Sequence, residues 1–181
     1  MASPEGPIPY RATRGGAAYD PIAQLPVSVV LVNVRSAYNV GAFFRTADAV
    51  RCEHLYLAGI SPLPTHPAVA KTALGAETRV AWTATDAVSL VDRLIEAGVR
   101  VAAIETSVAA EDLFDWSPSF PVSILFGHEV DGLPPEILER ATDRVRIPML
   151  GYKQSLNVAT AGGVVLYELL RKYRANRHLL R

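Results

Sequence analysis

Three short stretches gather the side chains of this chain that could do chemistry. Residues 39–45 carry Asn39, Gly41 and Arg45. Residues 126–132 carry Phe126, Gly127, His128, Glu129 and Gly132. Ile147 and Met149 then lead into Ser155, Leu156 and Asn157. Among these are a guanidinium, a carboxylate, two carboxamides and a hydroxyl, groups that suit holding a ligand and stabilising charge as it develops. Arg45 presents a fork of N–H donors that matches a phosphate. It stays protonated at neutral pH, so anchoring suits it better than proton abstraction. Asn39 and Asn157 each offer a neutral donor and a neutral acceptor. Each stretch falls where an apolar run gives way to a helix or loop, and in open α/β sheets ligands bind at that edge.

The elements that must position these groups follow from hydrophobic periodicity. Continuous Val and Leu content makes 27–33 a buried strand, and further strands are expected at 54–58, 79–82, 99–104, 122–126 and 143–147. Helical patterns cover 39–51, 67–74 and 86–97, the last ended by Gly98; a brief helix at 134–140 opens on proline, and 156–173 makes a long closing helix. Strands alternating with helices predict an α/β fold, a mainly parallel sheet with helices on both faces. Residues 1–26, rich in Pro, Gly and Ala, read as a flexible N-terminal arm ahead of one domain spanning 27–181.

Composition narrows the classes. A chain of 181 residues, half of them hydrophobic and a fifth charged, suffices for one domain with a real core. Its apolar runs are too short to cross a bilayer, and the opening residues lack the pattern of a secretory leader. A cytoplasmic location is expected, in keeping with a single cysteine, Cys52, which also excludes an internal disulfide and a multi-cysteine zinc site. No metal cluster is evident. There is no Walker sequence and no Gly-x-Gly-x-x-Gly after the first strand, so triphosphate or dinucleotide binding lacks its usual loop. The net charge is zero, which gives no bulk attraction to nucleic acid. Residues 171–181, with five Lys and Arg and no carboxylate, could contact phosphates, as could Arg11 and Arg14 in the arm. A basic helix end also simply complements the helix dipole.

Taken in order, the three stretches resemble the motifs of the SpoU (TrmH-like) RNA ribose 2'-O-methyltransferases of the SPOUT superfamily, a likeness that covers roughly residues 27–174. The resemblance implies a deep trefoil knot at the carboxyl end of the α/β fold, S-adenosyl-L-methionine bound on it, tRNA or rRNA as substrate, and a homodimer formed through the knot region, with no membrane and no metal involved. It places Asn39, Arg45, Glu129, Ser155 and Asn157 at the catalytic site. Around the cofactor it places Thr106, Phe126, Gly127, Gly132, Ile147, Met149, Ser155 and Leu156. Glu129 would pair with Asn39, with Arg45 or with the dimer mate; Ser155 would cap the last helix or help hold cofactor and substrate. One departure is Ala159, where many relatives have a second serine. The Gly162-Gly163 pair implies close helix packing. Two other functions fit the same fold: a catalytically silent RNA-binding or assembly factor, and base methylation. The intact set of five polar residues favours an enzyme, and the Asn-x-Gly…Arg signature favours ribose chemistry.

Plainer roles exist for each residue taken singly. Asn39 could be a helix N-cap, Ser155 and Asn157 caps of the long helix, and Glu129 a charge at a helix start. Their joint occurrence argues for a site. His128 reads as local, His54 and His66 as surface or packing residues, and Cys52 as a small buried apolar group. Tyr38 could stack on a base or pack at the helix entry, and Gly41 allows close backbone approach.

Overall fold

The computed structural model describes residues 24–179, so the expected arm lies almost wholly outside the described residues. Seven strands form one sheet: β1 (Leu25–Val32), β2 (Cys52–Ala58), β3 (Trp82–Thr85), β4 (Arg100–Ile104), β5 (Glu111–Asp112), β6 (Val122–Phe126) and β7 (Asp143–Arg146). Their order is β3-β2-β1-β6-β4-β7-β5, and every pairing is parallel. The helices are α1 (Ala37–Val50), α2 (Pro67–Ala73), α3 (Ala87–Glu96), α4 (Pro135–Arg140) and α5 (Val158–Leu179).

Burial on both sides explains the apolar run of β1. Val27, Val29 and Leu31 point into a core shared with α1, α2 and α5, whereas Val30 and Val32 point into a second core beneath α3 and α4. The central strand can therefore expose neither face. In α1, Val40, Phe43, Phe44, Ala47 and Val50 recur at helical spacing and are all buried. Two glycines let helices close on this core. A Cβ at Gly41 would collide with Thr72 and the Val69 carbonyl of α2, and one at Gly162 would collide with the Phe43 ring. Gly41 thus serves the contact between α1 and α2 inside the fold, rather than approach to a ligand. Of the glycine pair, Gly162 packs inside the chain, whereas a Cβ at Gly163 would meet no described residue.

The structure moves several expected boundaries. The sheet begins at Leu25, two residues inside the stretch read as arm. The strand expected at 79–82 lies instead at Trp82–Thr85, because a 3-10 turn at Ala76–Thr78, with Val80 N–H on the Ala76 carbonyl, keeps the chain coiled up to that point. Helix α5 begins at Val158, past Leu156.

The C-terminal basic stretch is less available than its composition suggests. The Lys172 ammonium donates to the backbone carbonyls of Leu113, Phe114 and Trp116, and both Lys172 and Arg171 pair with Glu168, one helical turn back. Lys172 therefore fastens α5 to the turn after β5, helped by Tyr173 packing edge-on against Phe120 at 5.0 Å.

Candidate active site

The carboxyl ends of β1 and β6 lie side by side, and the chain leaves them in opposite directions. After β1 it enters α1 on one face; after β6 it enters α4 on the other. A crevice opens between neighbouring strands at such a reversal. All three sequence stretches reach this edge of the sheet.

The loop after β6 is fixed by its own backbone. His128 N–H donates to the Gly132 carbonyl and Gly132 N–H to that of His128, each at 3.0 Å, and Gly132 takes φ 72°. A Cβ at Gly127 would strike the Gly132 and Leu133 backbone, so only glycine lets the loop close. His128 Nδ1 accepts the N–H groups of Val130 and Asp131 at 3.2 Å, which uses the ring inside its own loop.

That loop delivers Glu129 to the start of α1. Its Oε2 accepts the Arg35 N–H at 3.0 Å; its Oε1 accepts the Ser36 N–H at 3.0 Å and the Asn39 Nδ2 at 2.8 Å. Burial raises this carboxyl, but the hydrogen bonds from Ser36, Arg35 and Asn39 outweigh it and hold the group below the ordinary glutamate value. The positive end of the α1 dipole acts in the same direction. The helix cap itself is Ser36, whose side chain accepts the Asn39 N–H. Asn39 stands three residues further on, its carboxamide free to reach Glu129.

The third stretch joins from the other side. Asn157 Oδ1 accepts the N–H groups of Ala159 and Thr160 at 2.9 and 3.3 Å, capping α5, while its Nδ2 donates to Asn39 Oδ1 at 3.2 Å. A directed relay results: α5 backbone to Asn157, Asn157 to Asn39, Asn39 to Glu129. Every carboxamide oxygen in it accepts and every amide nitrogen donates, so neither amide can flip without breaking bonds at both ends. Each nitrogen retains one N–H for a ligand.

Of the five expected catalytic residues, this network joins Asn39, Glu129 and Asn157. It does not include Arg45 or Ser155. Arg45 is exposed on α1 and makes no hydrogen bond or ion pair with any described residue. Six residues on a helix set it about 120° round from Asn39 and about 9 Å further along. Ser155 is exposed and does not cap α5. Of the expected cofactor contacts, Phe126 packs its ring against Phe43 at 5.0 Å and so has only backbone to offer. Register sets the others in a row. Ala103 pairs with Leu125 and Ile104 with Val145, so two residues beyond, Thr106 comes level with Ile147, one position past the level of Gly127. The 150–157 connection is open to solvent, with Leu150 at 99% and Tyr152 at 97% exposure.

Other reactive groups have local roles. Burial pushes the Cys52 thiol up to about 12, and it donates to the Val27 carbonyl. His54 bonds Thr83 and stacks on Tyr56, and His66 caps α2. Among the described residues no group of side chains could hold a metal ion, and no helix is long and apolar enough to cross a membrane.

Comparison with known proteins settles the family. A sequence profile of the SpoU rRNA methylase family matches residues 26–167. This chain belongs to the SpoU rRNA methylase family. Among curated relatives, a 23S rRNA (guanosine-2'-O-)-methyltransferase, RlmB, of Vibrio cholerae is 33% identical over 84% of the chain and 62% of its own length. A tRNA (guanosine(18)-2'-O)-methyltransferase of Thermus thermophilus is 33% identical over 82% of the chain and 76% of its own. The crystal structure of an AdoMet-bound rRNA methyltransferase from Sinorhizobium meliloti superposes with a TM-score of 0.76, at 31% identity over 80% of this chain and 56% of that one. The family member described here thus spans about three fifths of the length of several relatives it matches.

Proposed function

We propose that this protein is an S-adenosylmethionine-dependent methyltransferase that modifies a ribose 2'-hydroxyl in tRNA or rRNA. The observation that carries the reading is the relay from α5 through Asn157 and Asn39 to Glu129, which fuses the family's three motifs into one site at the crevice between β1 and β6. Relatives named as ribose 2'-O-methyltransferases of tRNA and rRNA support it.

The residues present fit the cofactor. The loop 127–132, held tight by its glycines, and the ends of β4 and β7 offer backbone groups and a floor of strand ends for the adenosyl part. Thr106, Gly127, Gly132, Ile147, Met149 and Leu156 would hold it. When bound, S-adenosylmethionine supplies the electrophilic methyl group. Arg45, unpaired among the described residues, anchors the phosphate beside the target ribose with its fork of donors and stabilises developing charge. Asn39 and Asn157 turn their remaining N–H groups to the sugar, held in that orientation from both ends. Glu129 already accepts three donors, which makes it a positioning residue rather than a base. Ser155, on the exposed connection before α5, contacts cofactor or substrate.

The domain begins with β1 at Leu25 and runs to 181, with the trefoil knot at its carboxyl end, and the molecule works in the cytoplasm as a homodimer through the knot region. The exposed apolar side chains Leu150 and Tyr152, beside the expected knot, suit a surface that meets a second copy or RNA. The test is transfer of a radiolabelled methyl group from S-adenosylmethionine to unmodified tRNA and rRNA, with calorimetry of cofactor binding alongside. Label in RNA supports the reading. Cofactor binding with no transfer to any RNA points to a silent RNA-binding or assembly factor, and label in a base points to base methylation.

A further inference from the structure

Glu105 belongs to none of the three motifs, yet it stands in the middle of the row they form. It follows β4 directly, and its N–H donates to the Val145 carbonyl of β7 at 3.0 Å. The pairings of Ala103 with Leu125 and of Ile104 with Val145 bring it level with Gly127 on one side and Arg146 on the other. Strands lie about 4.8 Å apart, so Glu105 sits on the floor between the loop 127–132 and the connection that leads to Asn157.

Its Oε1 is buried and has no hydrogen-bond partner among the described residues. The one other described side-chain atom in that condition, Glu77 Oε2, belongs to the 3-10 turn before β3, at the opposite edge of the sheet. A carboxylate only accepts hydrogen bonds, and a buried acceptor left without a donor is costly, more so when charged. S-adenosylmethionine brings donors of three kinds, the adenine amino group, the ribose hydroxyls and the amino group of the methionine part.

On the reading of the site given above, we propose that Glu105 is a cofactor-binding residue whose carboxylate accepts a hydrogen bond from a donor of S-adenosylmethionine. The charge suits this ligand further, because the sulfonium makes it cationic. Glu105 holds the cofactor and takes no part in the proton transfer.

The experiment is calorimetric titration of the full chain and its Glu105→Gln and Glu105→Ala variants with S-adenosylmethionine and with 5'-methylthioadenosine, with thermal melting of all three proteins. Glu105→Gln weakens S-adenosylmethionine binding about ten- to hundredfold, the range for a hydrogen bond to a charged group. Its melting temperature is unchanged or higher, because a neutral amide is less costly to bury. A purely structural role would lower it. Methylthioadenosine keeps the adenine and the ribose and lacks the amino acid part. An equal loss with this ligand assigns the bond to the adenosine part, its ribose hydroxyls or adenine amino group, and no loss assigns it to the amino group of the methionine part. Wild-type affinity for S-adenosylmethionine in both variants overturns the proposal while leaving the methyltransferase reading intact. A wild-type protein that does not bind S-adenosylmethionine overturns both.

Discussion

Replacing Glu129 by glutamine tests how the site is held together. In the native chain Oε1 accepts the Ser36 N–H at 3.0 Å and the Asn39 Nδ2 at 2.8 Å, and Oε2 accepts the Arg35 N–H at 3.0 Å. A glutamine with its oxygen in the Oε1 position keeps the first two bonds without their charge. Its NH2 then faces the Arg35 N–H, donor against donor. One bond is lost and two are weakened. Hydrogen bonds to charged groups contribute about 1.5–3 kcal/mol and neutral ones about 0.5–1.5. Glu129 is exposed, so solvent screening reduces the total to about 1–2 kcal/mol. For a chain of this size that lowers the melting temperature by roughly 3–6 °C at neutral pH.

The pH dependence of that difference has a definite sign. Because the folded state holds the Glu129 carboxyl below its ordinary value of 4.5, its contribution is complete above that pH and is lost as pH falls through the folded value. The gap between wild type and Glu129→Gln should therefore be constant from pH 8 to about 5 and narrow below about 4.5. Methyl transfer at neutral pH should fall about tenfold, since Asn39 is held by a neutral bond in place of a charged one. Melting curves over this pH range, followed by circular dichroism, make the measurement. A variant as stable as wild type at pH 7, or a gap that persists undiminished at acid pH, would refute the hydrogen-bond account of Glu129.

The remaining perturbations are simpler. Asn157→Ala removes the cap of α5 and one support of Asn39; stability should drop by about 1 kcal/mol, and kcat should fall with little change in cofactor affinity, measured by denaturant titration and steady-state kinetics. Gly127→Ala forces the 127–132 loop off the Gly132 backbone and should weaken calorimetric cofactor binding at least tenfold, whereas Gly163→Ala, in open space, should leave it unchanged. The Cys52 thiol, buried and pushed up to about 12, should resist thiol reagents at pH 8 in the native protein and react at once in denaturant.

What could be read from the chain, and what could not, follows from how local each feature is. The central strand β1 was legible because burial on both faces writes itself into every residue. The 79–82 strand was misplaced because Val80, Ala81 and Trp82 look β-like, and nothing in their composition reveals that Val80 is tied back to Ala76. The helix cap at Ser36 yielded to Asn39 in the reading, since the partner that occupies Asn39 is Glu129, 90 residues away. The apparent availability of Lys172 failed for the same reason: its carbonyl partners lie 56 to 59 residues back. Glu105 carried no signal at all in sequence, because an acidic residue after a strand is ordinary until its burial is known. The motif residues were legible as a set. Their division into a hydrogen-bonded network of Asn39, Glu129 and Asn157, with Arg45 and Ser155 outside it, was not.

The most direct trial of the central claim joins the product to the residue held responsible for it. Unmodified tRNA and rRNA are incubated with S-adenosylmethionine and either wild-type protein or Arg45→Ala, and the nucleosides are then resolved by mass spectrometry. The account predicts 2'-O-methylated nucleosides with wild type, and at least a hundredfold less with Arg45→Ala, roughly what loss of one electrostatic stabiliser costs, at unchanged cofactor affinity. Methyl groups on bases, or full ribose methylation by the Arg45→Ala variant, would contradict it.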